Sequence, residues 1–124
     1  MKVLIVDDSK VVRERLITMF SELKGVEVIG QAENSAEAVE AIQKSKPEAV
    51  ILDIRMPGGS GIDVLKRIKK EKPNLLVIML TNYPYPQYRK KCMDAGADFF
   101  FDKSTEFEKV IEVFRNLAMD SQTK

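Results

Sequence analysis

The sequence has no tryptophan, no histidine and a single cysteine, Cys92. One thiol cannot close an internal disulfide, and without histidine or a second cysteine no nitrogen-and-sulfur metal cage can form. The absence of disulfides fits a reducing cytosol. An excess of one charge is also missing: 20 Lys and Arg face 19 Asp and Glu, for a formal charge of +1. Such a balance excludes a composition built for nonspecific contact with nucleic acid or an anionic membrane, so no direct nucleic-acid partner is expected. No apolar run reaches the length of a membrane span, and the run after Met1 is too short for a signal-peptide core. Membrane insertion is therefore not expected, and the expected location is the cytoplasm. Low-complexity segments, internal repeats and linkers are absent too.

What is present suits one domain. A chain of 124 residues, 44% hydrophobic and 31% charged, can bury a core without a disulfide or metal staple. Short apolar runs recur at Val3–Val6, Val26–Ile29, Ala49–Leu52, Leu75–Leu80 and Phe99–Phe101. Runs apolar on both faces predict buried parallel strands. Between them the period becomes helical. Val12, Leu16, Met19, Phe20 and Leu23 share one face of a helix that stops near Gly25. Asn34 and Glu37 predict a capping box for a helix carrying Ala38, Val39 and Ile42, ending before Lys46-Pro47. Ile62, Leu65 and Ile68 mark a third helix, with Ser60 as its cap, ending before Lys72-Pro73. A fourth runs from about Gln87 to Ala95. Thr105 and Glu108 predict a second capping box, before a helix with Phe107, Val110, Ile111, Phe114 and Leu117. This βα alternation, five times over, predicts an α/β fold: a doubly wound five-stranded parallel sheet with helices on both faces. The core is expected over 2–118, with 119–124 a frayed tail.

In open α/β sheets, ligands sit outside the carboxyl ends of the strands. Here those ends carry Asp7 and Asp8, Asp53, Thr81 and Lys103. Three crowded carboxylates repel one another unless a cation intervenes. Mg²⁺, a hard cation that prefers carboxylate, water and phosphate oxygens, resolves this. Lys103 can neutralise a phosphoryl group and Thr81 can donate to it. Asp53, on the central strand, is the best placed nucleophile toward phosphorus.

With these residues in order, the chain closely resembles the receiver domain of two-component response regulators, the CheY-like family, in its single-domain form. Asp7-Asp8, the stretch Asp53-Ile54-Arg55-Met56-Pro57-Gly58-Gly59-Ser60-Gly61, Leu80-Thr81, and Ala95-Gly96-Ala97-Asp98 leading through Phe100 to Lys103 carry the resemblance, which covers Lys2 to about Ala118. It implies a flavodoxin-like strand order of 2-1-3-4-5. It also implies a phosphorylation-activated switch, not an enzyme in the turnover sense. Asp53 would accept a phosphoryl group from a sensor histidine kinase or histidine phosphotransfer protein. Asp7, Asp8, Asp53 and the backbone carbonyl of Arg55 would hold Mg²⁺, with Mn²⁺ able to replace it. Thr81 and Lys103 would bind the phosphoryl oxygens, and Phe100 would move inward as Thr81 is drawn to the phosphate. Arg55, Asn82 and Tyr83 would occupy positions that in the family tune the lifetime of the phosphorylated state. The face made by helix 4, strand 5 and helix 5, with the loop Tyr83–Tyr88 and Phe99 or Phe101, would meet a downstream protein; a phosphorylation-dependent homodimer stays open.

Simpler roles compete with these. Asp7 and Asp8 could cap the first helix; Asp53 could be a turn residue before Pro57-Gly58. Gly58–Gly61 could suggest a phosphate loop but lacks its Lys-Ser/Thr. Cys92 is expected to be a packed helix residue. An aspartyl-phosphate phosphatase would need an Asp-x-Asp after the first strand and a cap. A phosphorylation-independent binding module would not need all five site residues. The family's lysine is usually followed by proline, but here Ser104 follows Lys103, so a trans bond is expected, since a non-proline cis bond costs about 2.5–4 kcal/mol. No output domain follows the receiver pattern in this sequence, so the chain is expected to act alone through protein contacts, the alternative being an excised receiver of a longer regulator.

Overall fold

The computed structural model describes residues 1–122, and side-chain surroundings as far as Leu117. The chain runs β1 (Lys2–Val6), α1 (Lys10–Ser21), β2 (Glu27–Ala32), α2 (Ser35–Ser45), β3 (Ala49–Leu52), β4 (Arg55–Met56), β5 (Gly59–Ser60), α3 (Gly61–Glu71), β6 (Leu76–Thr81), α4 (Pro86–Asp94), β7 (Phe99–Asp102) and α5 (Lys109–Gln122). Five strands form one sheet in the order β2-β1-β3-β6-β7, all neighbours parallel. Leaving out the small β4–β5 hairpin, this is the expected order 2-1-3-4-5.

The apolar runs are buried on both faces for the reason expected of them. Along β1, β3 and β6 side chains alternate between two cores. Leu4, Val6, Val50, Leu52, Val77 and Met79 pack with α2, α3 and α4 residues such as Ile42, Leu65 and Cys92. Val3, Ile5, Ala49, Ile51, Ile78 and Leu80 pack with Leu16, Phe20, Val110 and Phe114 from α1 and α5. The Phe20 and Phe114 rings meet edge to face, with centroids 4.9 Å apart and planes 87° apart. Cys92 is fully buried, and burial pushes its thiol up to about 11, which makes it an inert core residue.

Several boundaries differ from the sequence reading. β2 begins one residue later than expected and runs on to Ala32, because an edge strand tolerates the polar Gln31 and the small Gly30 that hid its end. Helix α1 stops at Ser21, well before Gly25. At α2, Asn34 Oδ1 accepts from the Glu37 N–H at 2.9 Å, but the Glu37 carboxylate accepts from the Asn34 side-chain amide rather than its backbone. The Thr105–Glu108 capping box does not form. Instead Asp102 Oδ1 accepts from the Ser104 N–H (2.8 Å) and hydroxyl (2.7 Å), and Glu106 Oε1 accepts from the Asp102 N–H at 3.2 Å. These bonds hold residues 103–108 in turns, and α5 starts only at Lys109. Helix α5 then runs to Gln122, into the stretch expected to fray; residues 123 and 124 lie outside the described residues. The Lys103–Ser104 bond is trans.

Candidate functional site

The parallel register brings the acidic residues together. Val6 pairs with Leu52 and Leu52 with Met79, so the residues that follow, Asp7 and Asp53, leave the sheet at one level. Thr81 ends β6 opposite Asp102 of β7. Carboxylate oxygens of Asp7, Asp8 and Asp53 all lie within 4.8 Å of one another. Asp7 and Asp53 are buried, at 2% and 5% exposure, whereas Asp8 is exposed.

Lys103 joins this group from the next loop. Its Nζ is 2.6 Å from Asp7 Oδ2 and 3.0 Å from Asp53 Oδ2. Burial works against its charge, but the hydrogen bond to Asp7 and the field of both carboxylates hold the ammonium above the usual lysine range. The Lys103 backbone N–H donates to the Thr81 carbonyl at 2.9 Å, which ties the lysine to the end of β6. The Thr81 hydroxyl accepts from the Tyr83 N–H at 3.0 Å, leaving its own proton to donate.

Asp7 and Asp8 do not cap α1. Ser9 does: its Oγ accepts from the Val12 N–H at 3.3 Å. Asp7 Oδ1 accepts from the Ser9 N–H at 2.8 Å, a local turn that keeps its other oxygen for Lys103. Asp53 Oδ1 accepts from the Ile54 N–H at 2.7 Å. Pro57-Gly58 then turns the chain between β4 and β5, with Gly58 at φ 84° in the place a type II turn requires. Ser60 caps α3 through the Ile62 N–H at 3.1 Å.

The donor set suits a hard divalent cation. It is made of oxygen only, three carboxylates face one ammonium, and the Asp8 carboxylate makes no hydrogen bond among the described residues. Arg55, the source of the expected carbonyl ligand, starts the hairpin two residues past Asp53.

The remaining predicted residues surround this centre less closely. Phe100 lies on β7, already inward at 3% exposure, with the Arg89 guanidinium 4.9 Å from its ring centroid. Asn82 is exposed. The Arg55 guanidinium lies over the Tyr83 ring, 4.2 Å from its centroid, and reaches the Tyr88 hydroxyl at 3.4 Å. Tyr85 is 5.7 Å from Tyr88, centroid to centroid. Tyr88 packs on the α3–α4 core, while Phe99 and Phe101 pack on the α1–α5 core, so the two aromatic groups flank β7 from opposite sides. Sequence reasoning missed Arg13 and Gly61, both of which touch backbone carbonyls at this site.

The burial of the Asp53 carboxyl has a testable consequence. Burial holds the Asp53 carboxyl above the usual aspartate range; Lys103 pulls it down, but Asp7 opposes that pull. The folded state therefore binds this proton more tightly than the unfolded chain does. The resulting stability is present below the ordinary aspartate pKa and is lost as pH rises through the raised one. Asp53→Asn is thus expected to be more stable than wild type at pH 7 in chelator, the gap closing as the pH falls through the raised Asp53 range and gone below the ordinary aspartate range. Urea midpoints across that range would show it; a less stable variant at pH 7 would contradict it.

Residues 3–115 match the family described as the response regulator receiver domain. The response regulator GacA of Pseudomonas aeruginosa is 28% identical over 116 residues, covering 94% of this chain and 54% of that protein. The uncharacterized transcriptional regulatory protein YhcZ of Bacillus subtilis is 34% identical over 112 residues, 90% of this chain and 52% of its own length. The chain thus spans about half the length of these relatives. The crystal structure of the response regulator domain of Thermotoga maritima CheB superposes with a TM-score of 0.83 at 31% identity, over 96% of this chain and 94% of that one.

Proposed function

The chain belongs to the response regulator receiver domain family, and on that premise we propose that it is a phosphorylation-activated switch of a two-component or phosphorelay system, with Asp53 as phosphoacceptor. The observation that carries this is the meeting of Asp7, Asp8 and Asp53 with the Lys103 ammonium at one sheet edge. The donor would be a phosphohistidine on a sensor kinase or histidine phosphotransfer protein. An Asp53 carboxylate oxygen attacks phosphorus, the bond from phosphorus to the donor breaks, and its electron pair leaves with the donor. Mg²⁺, or Mn²⁺ in its place, would be held by Asp7, Asp8, Asp53 and the Arg55 carbonyl and would neutralise charge on the transferring group.

This chain's own residues do the rest. Lys103, 3.0 Å from Asp53, exchanges part of its carboxylate contact for a phosphoryl oxygen, and the Thr81 hydroxyl donates a hydrogen bond to another. Drawing Thr81 inward shifts the loop Asn82–Tyr85 and favours the inward Phe100. Because Phe100 is already buried, phosphorylation stabilises an arrangement the chain can adopt beforehand, a shift of population. The face around α4, β7 and α5 would then meet a protein partner, either a downstream target or a second phosphorylated copy. Asp53 accepts stoichiometrically, so the chain is not an enzyme in the turnover sense. No helix among the described residues is long and apolar enough to cross a membrane; a cytoplasmic site of action is part of the proposal.

Incubation with acetyl phosphate, read by intact mass, tests this. One acid-labile phosphoryl group is expected with Mg²⁺, none in chelator and none in Asp53→Asn. Metal-independent labelling would refute the metal's role, and labelling of Asp53→Asn would refute the acceptor.

Arg55 is expected to prolong the phosphorylated state. Its exposed guanidinium sits on Tyr83, two residues beyond Thr81, and its backbone lies two residues beyond Asp53, so a new anion at Asp53 would attract it. Arg55→Ala should speed dephosphorylation about two- to threefold, the scale of an exposed charge pair. A slower or unchanged decay of the phosphorylated mass would contradict that role.

A further inference from the structure

Each acid of the cluster is held differently. Asp7 is fixed by Lys103 and the Ser9 N–H, and Asp53 by Lys103 and the Ile54 N–H. Asp8 has no such bond among the described residues, so its carboxylate is aimed by its backbone alone. That backbone is pinned from below by Arg13. The Arg13 Nη1 donates to the Asp7 carbonyl at 2.7 Å, and its Nε donates to Gln31 Oε1 at 2.9 Å. Its Nη2 lies 4.0 Å from Glu33 Oε2, and the side chain is only 12% exposed. The planar fork thus ties the Asp7–Asp8 peptide to the edge strand β2 and the loop after it. The Arg13 N–H also donates to Ser9 O at 3.1 Å, which seats the arginine in the first turn of α1.

We infer that Arg13 is a positioning residue for the acidic pair: by holding the Asp7 carbonyl it keeps Asp8 turned toward Asp7 and Asp53, and so sets the affinity for the divalent cation. This rests on the metal-binding role proposed above for those three acids. The sign of the effect separates positioning from charge. A guanidinium acting only through its field repels a cation, so removing it would tighten binding. A guanidinium acting as a brace strengthens binding, so removing it weakens it. Lysine keeps the charge but cannot span the Asp7 carbonyl and Gln31 with one fixed fork. Outer-shell partners of metal ligands commonly affect metal affinity about 10- to 100-fold.

Mg²⁺ alone, titrated calorimetrically into the intact unphosphorylated chain, is the test, with metal-free melting recorded for every variant. Arg13→Met is expected to bind about tenfold more weakly, and Arg13→Lys to be weakened as well. Gln31→Leu, which removes one anchor and leaves Arg13 in place, is expected to lose less in the same direction and covers the case in which an Arg13 variant does not fold. Tighter binding by Arg13→Met with Arg13→Lys unchanged would assign the residue a charge effect and overturn the inference, as would equal affinity in every variant. Absence of Mg²⁺ binding by the wild type would overturn the metal-site proposal itself, and this inference with it.

Discussion

A Gly61→Ala variant is expected to melt roughly 10 °C below wild type and to take up phosphoryl poorly, although it adds a single methyl group. A β-carbon at position 61 would lie 1.8 Å from the Asp53 carbonyl oxygen and 2.8 Å from its carbon. Both are backbone atoms of Asp53, so no flexible side chain can yield. The Gly61 N–H also donates to the Ile54 carbonyl at 2.6 Å, which locks the start of α3 against the chain just past Asp53. Relieving the clash means moving either Asp53 or the helix. Overpacking of this kind costs about 1–3 kcal/mol and occasionally more, and here the upper end applies. Gly30→Ala is the control: its β-carbon would meet only Leu4 Cδ1 at 3.3 Å, the tip of a flexible side chain. That variant should lose under about 1 kcal/mol and be phosphorylated normally. Equal thermal shifts for the two would contradict the close approach at Asp53.

Lys103→Met should cost about 3–5 kcal/mol in metal-free buffer at pH 7, the range for breaking a buried ion pair from one side. Methionine fills much of the lysine volume, so the loss is one of charge. Lys103 is the cation that meets both buried acids, at 2.6 and 3.0 Å, with its own side chain only 8% exposed. Without it, Asp7 and Asp53 face each other unpaired. Lys103 also opposes the upward shift of the Asp53 carboxyl, so its removal sends that carboxyl higher still. The folded variant then binds the proton more tightly, and its deficit should shrink as pH falls and Asp53 protonates. Divalent cation at about a hundred times its dissociation constant should restore about 2.7 kcal/mol. Urea denaturation at two pH values, with and without Mg²⁺, reads all three effects. A variant as stable as wild type in chelator would mean that the ion triad does not hold this edge together.

The fold was legible because burial leaves a strong signature. Strands covered on both faces must be apolar throughout, and Val3–Val6, Ala49–Leu52 and Leu76–Leu80 are. Where burial weakens, so does the signal: the half-exposed β2 carries Gln31 and Gly30, and its end could not be read. The start of α5 failed for another reason. Two overlapping sets of capping residues were present, and Asp102 with Ser104 and Glu106 won over Thr105 with Glu108. Asp7, Asp53 and Lys103 could be grouped from sequence because strand ends converge in a parallel sheet. Arg13 could not, since its role depends on how α1 lies against β2; the only hint was an arginine three residues before Leu16, beside the buried face of α1. Gly61 read as one more turn glycine, because a close approach to backbone leaves no mark in the sequence.

Asp53, and not Asp7 or Asp8, is expected to carry the phosphoryl group. Borohydride reduction of the freshly phosphorylated chain converts an aspartyl phosphate to homoserine, which peptide mass spectrometry can place. Homoserine at position 53 alone, dependent on Mg²⁺ and absent from chelated samples, is the predicted result. Homoserine at position 7 or 8, or a phosphorylated chain with none at 53, would contradict it.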